Sequence, residues 1–264
     1  MALFNRPTTL FLLLALCVGA SVAFAIGFAQ HQVETFSESV YATSYESNYD
    51  EVGFVGQAIS LMHTGTLNFN WARGGYVDQS QRGPVYSFLL AIGFTVVGEY
   101  LGVIYVLNFI FLIIAAWATW RIASRFLPGW WAFIPGIAVS GFWGSAFLVW
   151  VPSYELCVLA IALGSFLLLV KFFETERLLF LFLTGCGFGL WVLEKPQVMY
   201  FVPVITLYIF YRARFLSFQR SARYAVLFLG LIAVIVGVWM ARNYRVLGTV
   251  QLGGGGHSIL RRAT

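Results

Sequence analysis

Two carboxylates stand side by side at Asp50-Glu51, in a chain with only 11 acidic residues among 264. In so apolar a chain, an acidic pair just past the first hydrophobic run suits proton transfer at a membrane surface. Its plainer reading is a helix N-cap with a solvated neighbour. Four other polar groups punctuate the chain: Arg82-Gly83-Pro84, Tyr154-Glu155, Glu194-Lys195-Pro196 and Arg242-Asn243-Tyr244-Arg245. His257 follows four glycines at 253–256 and could join a site by loop closure, or belong to a flexible tail. Arginine and lysine at one depth suit an anionic substrate, arginine by bidentate contact with phosphate. Taken singly, each has an ordinary reading: a snorkelling arginine at Arg82, a helix-start carboxylate at Glu155, a local ion pair at Glu194-Lys195 and an interfacial anchor at Arg242–Arg245.

The elements that must hold these groups are membrane helices. Hydrophobic residues make up 60% of the chain and charged residues 10%, with mean hydropathy +0.81. That composition describes an integral membrane protein. Long apolar runs separated by short polar hinges make it all-α, since a barrel would show short alternating segments. Cys17, Cys157 and Cys186 lie scattered in apolar runs, without the spacing of a disulfide framework or a zinc site. The net charge of +5 sits mainly in short loops, so it reports topology and not a nucleic-acid partner.

Seven runs are candidate spans: residues 10–29, 100–120, 130–151, 156–170, 178–193, 198–211 and 224–240. The first is read as a retained anchor, although Ala23-Phe24-Ala25 resembles a signal cleavage site. The thirteen residues 85–97 are too short to span and suit a re-entrant or interfacial segment. Charge supports that choice. If 85–97 does not cross, Arg121, Arg125, Lys171, Arg177, Arg212, Arg214, Arg220 and Arg223 fall on the side of Arg6. The basic loop at 212–223 then suits anionic headgroups. The expected fold is thus an all-α integral membrane protein of about seven transmembrane helices with a large first extracytoplasmic loop, residues 30–84, containing short amphipathic helices. One of these is predicted over 52–62, where Val52, Val55, Ile59 and Met62 recur at helical spacing behind Asp50. All the polar groups above fall on the extracytoplasmic side, and residues 242–264 are expected to begin a further loop there.

In this order the groups resemble the N-terminal module of the GT-C glycosyltransferases, in the protein O-mannosyltransferase and aminoarabinose-transferase branch. Asp50-Glu51-Val52-Gly53-Phe54 matches that family's Asp-Glu pair after the first span, and Arg82-Gly83-Pro84-Val85-Tyr86 its basic residue before proline. Ser153-Tyr154-Glu155-Leu156 is similar to a Ser-Glu-Pro hinge, departing from it in the intervening tyrosine and the missing proline. Glu194-Lys195-Pro196 matches a basic-proline hinge, and Arg242-Asn243-Tyr244-Arg245 an Arg-Asn-Tyr box closing the seventh span. The family continues beyond that point, so the resemblance implies a chain shortened relative to it.

The resemblance implies a polyprenyl-phosphate-linked sugar as donor, the bilayer as its surroundings and an acceptor hydroxyl of unspecified origin. It implies Asp50 as general base tuned by Glu51, with Glu155 positioning the acceptor. It also implies Arg82, Lys195, Arg242 and Arg245 at the donor phosphate, with Tyr154, Asn243, Tyr244 and His257 as further candidates. Some members of that family use a divalent metal, Mg or Mn, for which Asp50 and Glu155 are the candidate ligands. The absence of any Asn-x-Ser/Thr sequon and the short loops point to a bacterial inner membrane, with the site facing the periplasm. Two other readings stand beside the enzyme. One is a transporter or lipid-binding membrane protein, against which no span carries a charge at its middle. The other is a non-catalytic fragment or pseudo-enzyme packed against a partner membrane subunit.

Overall fold

A computed structural model describes residues 50–67, 83–213 and 217–248, with positions 11, 15, 16, 18–20, 22, 250 and 252 besides. From Asp50 onward, nine α-helices and no strand occur among the described residues. They are α1 (Asp50–Thr64), α2 (Pro84–Val97), α3 (Leu101–Ala123), α4 (Phe133–Gly141), α5 (Trp143–Phe147), α6 (Glu155–Thr175), α7 (Leu178–Glu194), α8 (Val202–Ala213) and α9 (Phe218–Leu247). Two 3-10 segments, Gly129–Ala132 and Pro196–Phe201, lead into α4 and α8. Three stretches among the described residues, Gly102–Ala123, Glu155–Thr175 and Phe218–Leu247, are long and apolar enough to cross a membrane. The 21 residues of α6 reach about 31 Å, close to the thickness of a hydrocarbon core.

The helices divide between two compact units. The first comprises Met1–Val77 and Tyr86–Leu163, the second Asp78–Val85 and Gly164–Thr264.

In the first unit, Phe11 stacks on Trp120 at 4.5 Å, while Gly19 lies against Phe109. The first apolar run and α3 are therefore antiparallel. α4 returns along α3 in turn, with Phe133 stacked on Trp120 and Gly136 against Ala116. α2 runs antiparallel to α3 from Asn108, which Tyr86 meets, to Val103, which Gly93 meets. It thus follows only the first third of α3, as suits a short segment. The expected single span over 130–151 is not one helix. It is broken at Phe142, whose backbone is extended (φ −67°, ψ 128°), and again by the turns after α5. Helix α1 forms where the spacing predicts it, but its side chains are buried all round from 53 to 60, not on one face. Gln57, Ser60 and the apolar residues between them are enclosed alike.

In the second unit, Gly185 of α7 meets Leu231 of α9, and Gly189 meets Ile235. The contacts advance four residues on each helix, so α7 and α9 run parallel, with α8 also packed on α9. Phe172 and Phe173 of α6 add edge-on contacts with Tyr224 and Tyr208. α9 carries on past the apolar run and takes Arg242-Asn243-Tyr244-Arg245 into its last two turns. It ends at Gly248, where φ is +69° and a residue with a Cβ would be strained.

Candidate functional site

In the first unit, the site is built on the start of α1. Asp50 and Glu51 are its first two residues, an arrangement the helix dipole favours. Their side chains lie outside the described positions. Phe54 follows one turn later and is buried. Its ring meets Tyr86 edge-on at 5.7 Å and Tyr154 at 5.0 Å. Tyr154 directly precedes Glu155, the half-buried first residue of α6, whose N–H donates to Ser153 Oγ at 3.4 Å. Two segments 100 residues apart are thereby joined: the first turn of α1 and the hinge that opens α6.

A buried hydrogen-bond chain sets that hinge. Tyr86 Oη donates to Asn108 Oδ1 at 2.9 Å. Asn108 Nδ2 donates to the carbonyls of Leu148 (3.1 Å) and Val151 (2.8 Å), in the turns between α5 and α6. Both Tyr86 and Asn108 are fully buried. Carbonyls outside a helix need another donor when water is excluded, and Asn108 supplies it. With the short chain from Val151 to Tyr154, the contacts close a circuit from Phe54 through Tyr86, Asn108, Val151 and Tyr154 back to Phe54. Asn108 did not figure among the candidates. Its one signal in the sequence is a lone amide in an apolar run. Nearby, Ser87 Oγ donates to Gln57 Oε1 at 3.0 Å.

In the second unit, Arg82 lies outside the described residues, but Gly83 and Val85 beside it are placed. Glu194, at the end of α7, accepts the Val85 N–H at Oε2 over 2.8 Å. Lys195 follows, half-buried, with its N–H donated to Trp191 O at 2.8 Å and its backbone leaving the helix. The basic-proline hinge and the segment after Arg82 are thus neighbours. Arg242 Nη1 donates to Asn243 Oδ1 at 3.0 Å, and its guanidinium lies 5.2 Å from the centre of the Trp239 ring. Asn243 is fully buried, while Tyr244 and Arg245 are exposed. His257 lies outside the described residues. Among the described residues, no three His, Cys, Asp or Glu side chains gather as metal ligands. Of the two expected metal ligands, only Glu155 has a described side chain.

Compared with known proteins, residues 81–239 match the family model described as dolichyl-phosphate-mannose-protein mannosyltransferase. The matched stretch contains Arg82, Tyr154, Glu155 and Lys195, and lies between Asp50 and Arg242. No curated protein and no solved structure matches the chain.

Proposed function

The chain belongs to the dolichyl-phosphate-mannose-protein mannosyltransferase family, and from that premise we propose that it moves a sugar from a polyprenyl-phosphate donor to an acceptor hydroxyl at the extracytoplasmic face. It is a membrane glycosyltransferase of the GT-C type. In the proposed reaction the acceptor oxygen attacks the anomeric carbon, and the bond from that carbon to the donor phosphate breaks with inversion. The acceptor proton passes to the Asp50 carboxylate, where the like charge of Glu51 favours proton uptake. Glu155 positions the acceptor. Polyprenyl phosphate leaves with the electron pair and needs cations more than a proton, a role for Arg82, Lys195, Arg242 and Arg245.

The observation that supports this reading best is the Phe54–Tyr154 contact, which brings the hinge bearing Glu155 to the helix opened by Asp50. The test is transfer of labelled mannose from polyprenyl-phosphate-mannose to the lipids, glycans and proteins of the source membrane. Asp50→Asn keeps a good N-cap, so membrane insertion and yield are expected to stay unchanged. Transfer is expected to fall by about a hundredfold or more, as for loss of a general base. Full transfer by the Asn variant removes Asp50 from the mechanism.

A further inference from the structure

Among the described residues, Glu194 is the one buried charged residue, at 4% exposure. The reaction above gives it no role. A carboxylate at the end of an apolar helix is costly to bury unless strong hydrogen bonds meet it. One such bond joins Glu194 to the start of α2. Pro84 has no N–H, so the first donor α2 offers is that of Val85, and Glu194 Oε2 takes it at 2.8 Å. The negative charge also suits the positive end of the helix dipole. Gly83 confirms how tightly the two segments meet. A Cβ there would fall 2.5 Å from Glu194 Cα and 2.6 Å from Oε2, so only glycine fits without moving the backbone. Residues 109 apart in sequence are held together by one side chain and one missing methyl.

What flanks this contact gives it a purpose. Arg82 precedes Gly83 and Lys195 follows Glu194, and both cations are assigned above to the donor phosphate. The geometry points to Glu194 as a positioning residue for donor binding: its grip on Val85 and its packing on Gly83 hold the segment that follows Arg82 in sequence against the hinge that carries Lys195. This role rests on the phosphate assignment of those two cations.

A double-mutant cycle tests it, read as the affinity of the full chain in lipid nanodiscs for polyprenyl-phosphate-mannose. Glu194→Ala is expected to weaken donor binding about tenfold, with less than about a twofold further loss when Arg82→Ala is already present. Glu194→Gln keeps an oxygen for the Val85 N–H and is expected to restore binding to within about threefold of the parent. Gly83→Ala should behave as Glu194→Ala does, and provides the same cycle if that variant is not recovered. The positioning role is overturned if Glu194→Ala binds donor like the parent. It is equally overturned by the same loss with and without Arg82, or by a Gln variant as weak as the Ala variant. If neither Arg82→Ala nor Lys195→Ala weakens donor binding, the phosphate assignment itself has failed, and the positioning role falls with it. Loss in those two variants with none in Glu194→Ala removes the positioning role alone.

Discussion

Asn108 shows what one buried amide does where water is absent. It accepts from Tyr86 and donates to two carbonyls that no helix satisfies. Asn108→Ala removes one hydrogen bond from each of the three groups at once, while the Val151 carbonyl keeps the Ser153 N–H. The expected loss is about 2–4 kcal/mol, since each orphaned buried group costs about 1–3 kcal/mol and the site relaxes in part. Tyr86→Phe removes only one bond and should cost about 1 kcal/mol. Thermal unfolding of the detergent-solubilised chain separates the two variants; equal losses would mean that the carbonyl contacts add nothing. Residues of this kind are half legible in sequence. A lone asparagine in an apolar run announces that it has partners, but periodicity cannot name them, because Leu148 and Val151 lie 40 and 43 residues away. The same holds for Glu194. As a neighbour of Lys195 it reads as half of a local pair, whereas its bond to Val85 depends on the tertiary fold.

Helix α1 and the short α2 were readable because their signals are local: a carboxylate before apolar residues at helical spacing, and a proline opening a thirteen-residue run. The break in the 130–151 run was not. Hydropathy sums Phe142 and Trp143 as good span residues and has no access to the φ and ψ that interrupt the helix there. α9 also runs beyond its apolar stretch, because arginine is a good helix former and Gly248 supplies the stop. Packing between elements gives a matched pair of tests on glycine. At Gly136 of α4, a Cβ would lie 2.7 Å from the Phe11 ring and 2.8 Å from the Ala116 carbonyl oxygen. Gly136→Ala is expected to cost about 1–3 kcal/mol by forcing α4 away from α3. Gly230 of α9 has nothing within 4 Å of its built Cβ, and Gly230→Ala should be neutral or stabilising by up to about 1 kcal/mol. Both effects are read from thermal midpoints, and the order of the two is the outcome that matters.

For the molecule as a whole, helix directions bear on how the chain threads the membrane. The first apolar run and α3 are antiparallel, with Phe11 level with Trp120, which brings the ends preceded by Arg6 and followed by Arg121 together. In the second unit, parallel α7 and α9 need one crossing between them, which α8 with its 3-10 lead can supply. The expected outcome for a cysteine at exposed Gln219 is labelling only by reagents that reach the cytoplasm, compared with the parent chain. Labelling from outside intact cells would reverse the threading and move Asp50 to the cytoplasmic face. The carboxylates and cations were legible as a set because few polar residues interrupt this chain. Their division between two compact units was not, since it depends on contacts that no spacing reports.

Helix α9 adds a consequence for the bilayer itself. Its 30 residues extend about 45 Å, yet only the 18 from 224 to 241, about 27 Å, lie between Arg223 and Arg242. That apolar length is close to one hydrocarbon thickness, with guanidinium groups waiting at both boundaries. The helix acts as a gauge rod. Sliding along the membrane normal would draw an arginine towards the acyl chains, a cost that favours one height for the Arg242 end. The vertical alignment of an enzyme with the phosphate of a membrane-bound donor would then be set partly by acyl-chain length, a quantity the cell controls apart from this chain.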